Sequence, residues 1–248
     1  MLTAHVITLF PGAFDSFLAH SLVARAQEFN AISIHVHDLR DFAHDNHRSV
    51  DDMPFGGGPG MVLMPGPLFE AVESIKQEAD IDRVILMTPQ GRLMRQKTVS
   101  ELSKMRGIVV ICGRYEGVDE RVREHLVTDE LSVGDYVLAG GELPAMVVLE
   151  AIARLLPGVV GCSESTFDES HSFAMLEYPQ YTRPSKFRGW KVPKALLSGD
   201  HQRIERWRAR QSLLRTLLRR PDLVAGWWND QGGRDETQKR LLAALNDD

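Results

Sequence analysis

Cysteine is nearly absent: Cys112 and Cys162 are the only two in 248 residues, and they form no CxxC pair. That excludes a disulfide-stapled secreted module and a cysteine zinc site, and it leads to the expectation of free thiols in a reducing cytoplasm. Long apolar runs are missing too, so no membrane span is expected. The apolar start is broken by His5 and then by Pro11-Gly12, so no signal peptide is expected. His5, His35, His37, His44 and His47 follow no zinc-motif spacing, and no metal is assigned to them. Repeats and low-complexity tracts are absent. What is there is ordinary globular material, 43% apolar and 25% charged, in a chain long enough for one large domain or two of ordinary size.

The modest net charge of −5 conceals a strong asymmetry. From Arg183 to Arg220 twelve bases face two acids, a balance of +10, which leaves −15 on the remainder. Such polarity points to two functional regions, one of them drawn to polyanions. Within the basic stretch Arg alternates with Tyr181, Phe187, Trp190 and Trp207. A basic helix is most often a solvated face. Here the density of charge with few acids reads as a nucleic-acid footprint, with Arg203, Arg206 and Arg210 on one side and a leucine stripe largely opposite.

Periodicity divides the chain into alternating strands and helices up to residue 156. Strands are expected at 4–9, 32–36, 83–87, 108–112 and 131–138. Helices are expected from 14 to 20 and over 65–79, 96–104, 119–125 and 142–156, the last stopped by Pro157-Gly158. The polar stretch 38–52 reads as a loop. This alternation predicts a mainly parallel two-sided sheet. Residues 161–177 lose periodicity and read as a linker. A helix capped by Asp200 follows, carrying Ile204, Trp207, Leu213, Leu214, Leu217 and Leu218 at helical spacing, and a last one is expected over 237–245.

Two glycine-bearing turns directly follow strand-like runs, at Gly113-Arg114-Tyr115-Glu116-Gly117 and at Gly134 to Gly141. Glycine there supplies positive φ or a close backbone approach, and the carboxyl ends of buried strands are where open α/β sheets bind small molecules. Tight turns needing glycine for geometry alone are the plainer alternative. With Thr88-Pro89-Gln90-Gly91 these turns can enclose a pocket walled by backbone, Leu86, Tyr115, Tyr136 and Leu138, which suits an adenosine-bearing ligand; Glu116 would favour a cationic group on it. The run Met53-Pro54-Phe55-Gly56-Gly57-Gly58-Pro59-Gly60 lacks the Lys-Ser/Thr of a phosphate loop and reads better as a loop that moves over a substrate. Arg154, beside Ile152, Leu155 and Leu156, is either a partly buried arginine needing an anion or a snorkelling one at a helix end.

Longer runs carry a family resemblance. Asp52-Met53-Pro54-Phe55-Gly56-Gly57-Gly58-Pro59-Gly60-Met61, Gly113-Arg114-Tyr115-Glu116-Gly117-Val118-Asp119-Glu120-Arg121, Gly134-Asp135-Tyr136-Val137-Leu138-Ala139-Gly140-Gly141-Glu142-Leu143-Pro144 and Pro179-Gln180-Tyr181-Thr182-Arg183-Pro184 resemble the bacterial tRNA (guanine-N1-)-methyltransferases, TrmD. So does Leu197-Ser198-Gly199-Asp200-His201 with its Arg-rich helix.

The resemblance implies an α/β parallel sheet with a deep trefoil knot of the SPOUT class over 1–160, which holds S-adenosylmethionine. A flexible linker over 161–177 and a small helical, basic C-terminal domain for tRNA over 178–248 would complete the chain. General topology rules would have excluded a knot. Also implied are a cytoplasmic homodimer with composite active sites, a tRNA anticodon stem-loop as substrate with Mg²⁺ required, and 1-methylguanosine at position 37 after a guanosine, which guards the reading frame.

The positions expected to hold the cofactor are Leu86, Met87, Thr88, Pro89 and Gly91, then Gly113, Tyr115 and Glu116, then Val133, Gly134, Tyr136, Leu138, Gly140, Gly141 and Pro144. For tRNA they are Arg183, Lys186, Arg188, Arg203, Arg206 and Arg210. Arg154 matches the family's catalytic arginine. Counting back from Tyr181 places Glu169 where the family usually has aspartate, and Asp168 is the aspartate beside it, so both are carried as the general base. A non-catalytic RNA-binding relative of the same fold and a nucleotide-phosphate enzyme built on residues 56–60 are the competing readings.

Overall fold

The structure is a computed structural model and describes residues 1–160, 169–171 and 175–224. The chain forms two compact units, Met1–Gly161 and Cys162–Asp248.

The first unit runs β1 (Leu2–Thr8), α1 (Asp15–Ala19), α2 (Ser21–Glu28), β2 (Ile32–Asp38), β3 (Asp51–Asp52), β4 (Val62–Leu63), α3 (Pro65–Glu78), β5 (Arg83–Leu93), α4 (Gln96–Leu102), β6 (Gly107–Cys112), α5 (Glu120–His125), β7 (Asp129–Ser132) and α6 (Glu142–Leu155). Five strands make one parallel sheet in the order β2-β1-β6-β5-β7. Apolar side chains fill both of its faces, as a parallel sheet requires. On one, Phe14, Val23, Val148, Leu149 and Ile152 pack on Ala4, Val6, Ile108 and Val110. On the other, Leu68, Val72, Ile75 and Val122 pack on Ile7, Val84, Val109 and Ile111. The six residues of β6 are all buried, which places that strand at the centre.

Two strand ends depart from expectation. β5 continues past Met87 to Leu93, with a register break in which Met87 and Arg92 both oppose Leu131, so residues 88–91 loop out of the sheet. β7 stops at Ser132 instead of reaching 138. Its hydroxyl donates to Gly134 O at 2.9 Å and accepts from Gly134 N at 3.2 Å, which turns the chain off the sheet. The helix expected from residue 14 begins as a 3₁₀ turn, Pro11–Phe14, and a second 3₁₀ turn, Leu39–Phe42, interrupts the polar loop.

In the second unit a two-residue-stranded hairpin, β8 (Lys186–Phe187) and β9 (Trp190–Lys191), precedes α7 (His201–Arg219). Asp200 caps α7 by accepting from Arg203 N at 3.1 Å. Its most buried positions are Ser212 and Thr216, while Leu214, Leu217 and Leu218 are exposed, so the expected leucine stripe is not the inward face. The reason is hydrogen bonding: Leu176 N donates to Thr216 Oγ1 at 2.8 Å and Ser212 Oγ donates to Leu176 O. Met175 is buried, and Leu176 is held to α7 by these bonds. The helix expected at 237–245 lies outside the described residues.

His5 on β1 stacks on His35 and His37 of β2, with centroids 5.0 and 5.2 Å apart, and its Nδ1 lies 3.0 Å from His37 Nε2. Burial, reinforced by His37 and His35, pushes His5 down to about 4. The unfolded chain therefore binds a proton that the folded chain refuses, and stability falls as pH drops from about 6.5 toward 4. Chemical unfolding at pH 7 and pH 4.5 should differ by up to about 3 kcal/mol from this group. His5→Leu should remove this group's share and leave that of His37, which burial also lowers, and an unchanged pH slope in that variant would contradict the assignment.

Candidate functional site

A cavity of about 390 Å³ opens at the carboxyl ends of β5, β6 and β7. That volume and position fit a small-molecule site in an open α/β sheet. Three connections wall it.

The first is the 88–91 excursion of β5. Gly91 lets it fold back, because an added Cβ would stand 2.5 Å from Glu130 C and Leu131 N. Arg123 of α5 ties it down, donating to Gln90 Oε1 and Glu130 Oε2.

The second is the turn after β6. Gly117 N donates to Arg114 O at 3.0 Å, with Tyr115 and Gly117 at φ 58° and 125°. Glu116 N donates to Met61 O, and Leu63 N to Gly117 O, both at 3.0 Å, so the segment leaving the glycine-rich run 56–60 braces this turn. Asp119 caps α5, accepting from Arg121 N at 3.0 Å, and its bonds to Arg121 hold its carboxyl below the usual range.

The third wall is 133–141, which returns to the second. Gly141 N donates to Gly113 O at 2.8 Å. A Cβ on Gly141 would lie 2.7 Å from Cys112 Cα and 2.9 Å from Gly113 N, so only glycine permits this approach. Behind it Glu142, 4% exposed, accepts from Thr8 Oγ1 at 2.8 Å and from Arg114 Nε at 3.1 Å. Arg114 also donates to Ala139 O at 3.3 Å and lies over the Phe10 ring at 4.5 Å. One buried carboxylate thus joins β1, the second wall and the start of α6. Next to it, burial pushes the Cys112 thiol up, with Glu142 adding to the shift, so the thiol stays protonated and is no nucleophile at neutral pH.

Of the expected cofactor positions, Leu86, Met87, Thr88 and Pro89 line the cavity, as do Gly113, Tyr115 and Glu116. So do Val133, Gly134, Tyr136, Leu138, Gly140, Gly141 and Pro144. Gly91 does not; it packs beneath the first wall. The mouth is apolar and open, with Tyr136 57% exposed and Tyr115, Val137 and Leu138 also exposed.

The model of a protein family described as tRNA (Guanine-1)-methyltransferase TrmD matches residues 2–226. The chain belongs to this family. Among similar proteins is a Dehalococcoides mccartyi tRNA (guanine-N(1)-)-methyltransferase, 56% identical over 219 residues, or 88% of each chain. A Geobacillus kaustophilus protein of the same name is 54% identical over 88% of this chain and 90% of its own. One from Brevibacillus brevis is 52% identical over 97% of this chain and 96% of its own.

The family's catalytic candidates are divided between the units. Arg154 is half-buried in the last turn of α6, in the first unit. Glu169 is half-buried in the second, and Asp168 lies outside the described residues. Arg183, Lys186 and Arg188 are exposed around the hairpin, and Arg203, Arg206 and Arg210 are exposed on α7.

Gln90 and Arg114 were named within the turn motifs without a role of their own, and Arg123 was not named. Arg114 sits inside the quoted motif and was legible there. Arg123 meets Gln90, 33 residues away, with no local pattern to announce it.

Two substitutions test this construction. Gly141→Ala should lower unfolding free energy by about 2–4 kcal/mol, because backbone has to move to admit the methyl group. Glu142→Ala should cost about 3 kcal/mol by leaving Arg114 without its carboxylate. Denaturant titration checks both, and wild-type stability in either variant would show that the contact carries no weight.

Proposed function

We propose that the protein transfers a methyl group from S-adenosylmethionine to N1 of guanosine 37 in tRNAs with guanosine at position 36. The observation that carries this reading is the glycine-walled cavity at the strand ends of a TrmD-family chain. Its features suit the cofactor. Gly113 and Gly140 bring backbone to the cavity wall, where an adenine edge can approach it, the flanks at Leu86 and Leu138 are apolar, and Glu116 would favour a cationic group. When bound, S-adenosylmethionine supplies an electrophilic methyl on a sulfonium.

The chain's own residues supply the rest. Guanine N1 carries a proton at neutral pH and has to lose it before it attacks. Asp168 or Glu169 accepts that proton. Charge then moves onto guanine O6, where Arg154 stabilises it. With the methyl donor bound, the cavity walls would hold its methyl in line with N1, so their alignment would dominate the rate.

In this reading, as the family resemblance implies, the protein acts as a homodimer with composite active sites. Its first unit then follows the trefoil-knotted path that the family resemblance implies. In this reading the first unit, over 1–160, holds the cofactor, 161–177 links the two, and the basic 178–248 grips the tRNA anticodon stem-loop. Mg²⁺ accompanies the tRNA substrate in this reading; among the described residues no group of three or more His, Cys, Asp or Glu could hold a metal ion. No described helix is long and apolar enough to cross a membrane, and a tRNA-modifying role fits the cytoplasm.

Labelled methyl should pass to a transcript with guanosine at 36 and 37 and not to one with adenosine at 37. Arg154→Ala should reduce turnover by at least about 100-fold with cofactor affinity little changed. Asp168→Asn or Glu169→Gln, but not both, should abolish it. Cofactor binding without transfer to either transcript would favour a non-catalytic RNA-binding relative, and full activity in both amide variants would overturn the assignment of the base.

A further inference from the structure

The hairpin β8–β9 has a role still to be assigned. Its turn, Arg188-Gly189, places both residues at positive φ, 49° and 91°, the twist that suits a two-residue hairpin. Register sets Phe187 opposite Trp190 and Lys186 opposite Lys191. Phe187 and Trp190 meet at 6.3 Å between ring centroids, tilted 41°, and the Arg188 guanidinium lies 5.3 Å from the Phe187 ring.

This arrangement carries two costs. Both rings remain in water, Phe187 56% and Trp190 70% exposed, whereas large aromatics in a short isolated hairpin normally need a layer to pack on. The two lysines stand directly across from each other, a like-charge pair that weakens the hairpin. No acid lies between Arg183 and Asp200. Among the described residues no carboxylate pairs with Lys186, Arg188 or Lys191.

One ligand chemistry relieves both costs: a polyanion that also presents flat apolar rings. A duplex stem offers its phosphates but keeps its bases stacked on one another. An apolar protein surface would cover the rings and leave the charges. Unpaired nucleotides provide both features.

We propose that the hairpin is a stacking platform for an unpaired nucleotide of the tRNA. The base lies on Trp190 beside Phe187, Arg188 at the turn neutralises the adjoining phosphate, and Lys186 and Lys191, on the hairpin's other face, meet phosphates further along the strand. This rests on the tRNA reading above and deepens it. It gives Phe187 and Trp190 a stacking role and specifies unstacked nucleotides at this basic surface.

The test uses the full-length protein and the transcript with guanosine at 36 and 37, with binding measured across a salt series. Trp190→Leu and Phe187→Leu should each weaken binding roughly tenfold at every salt concentration, with the salt slope unchanged. Trp190→Phe should retain most of the affinity, which separates stacking from damage to the hairpin. The double change Lys186→Gln with Lys191→Gln should instead lower the slope by about 2. An RNA duplex of equal length should bind wild type and Trp190→Leu alike.

Wild-type affinity in both leucine variants, while the wild type binds tRNA normally, overturns the platform and spares the tRNA reading. Lost self-association with intact RNA affinity assigns the rings to a protein contact and overturns it equally. Failure of the wild type to bind tRNA at all overturns both.

Discussion

The first unit depends on a backbone-to-backbone contact: Gly141 N reaches Gly113 O at 2.8 Å, with no room for a Cβ between the two segments. Because the chain passes this close, the loop that leaves the sheet edge at β7 is brought back over the end of the central strand. The cavity is the space that return encloses. The same contact fixes where α6 begins, and so places Glu142 under the floor of the site. A carboxylate that deep is unfavourable unless its oxygens are satisfied. Thr8 and Arg114 satisfy them, and in doing so they bind β1 and the second wall to the same point. Geometry and electrostatics therefore reinforce one another across segments 134 residues apart in sequence.

The second unit follows another logic. Its helix α7 turns hydroxyls inward and leaves three leucines and a row of arginines outside. Serine and threonine serve as docking points because the incoming strand-like segment at Leu176 needs partners for its own N–H and C=O. The outer surface keeps its charge and several large apolar side chains available for a partner. That division agrees with the sequence asymmetry, in which the basic stretch is confined to one part of an otherwise acidic chain. A cavity suited to a small ligand and a surface suited to a polyanion are what the proposed methyl transfer to tRNA requires of one polypeptide.

Much of the site was legible in sequence because backbone geometry at Gly113, Gly117, Gly140 and Gly141 writes itself directly into residue choice. A position that tolerates no Cβ, or that sits at positive φ, has few alternatives to glycine. Gly91 follows the same rule from the other side: its glycine is demanded by Glu130 and Leu131 behind it. Apolar periodicity located every strand of the main sheet, yet it ran β7 on to Leu138. Val133, Tyr136, Val137 and Leu138 are strand formers by composition, and Ser132 ends the strand through a hydroxyl contact that periodicity does not register. The leucines of α7 misled for a related reason, since pattern alone does not distinguish an apolar face that packs inward from one left outside.

The sequence by itself determined the alternation of strands and helices, the two-sided parallel sheet, the glycine turns and the basic character of the second unit. Each of these depends on properties a residue carries wherever it stands: size, φ preference, apolarity and charge. The tertiary structure alone decided which turns face one another, that Glu142 is shared between Thr8 and Arg114, that Arg123 secures the first wall, and that His5 is held neutral against its neighbours on β2. Those features come from residues distant in the chain and brought within hydrogen-bonding range, where burial sets the strength of each contact and no local pattern records the partner.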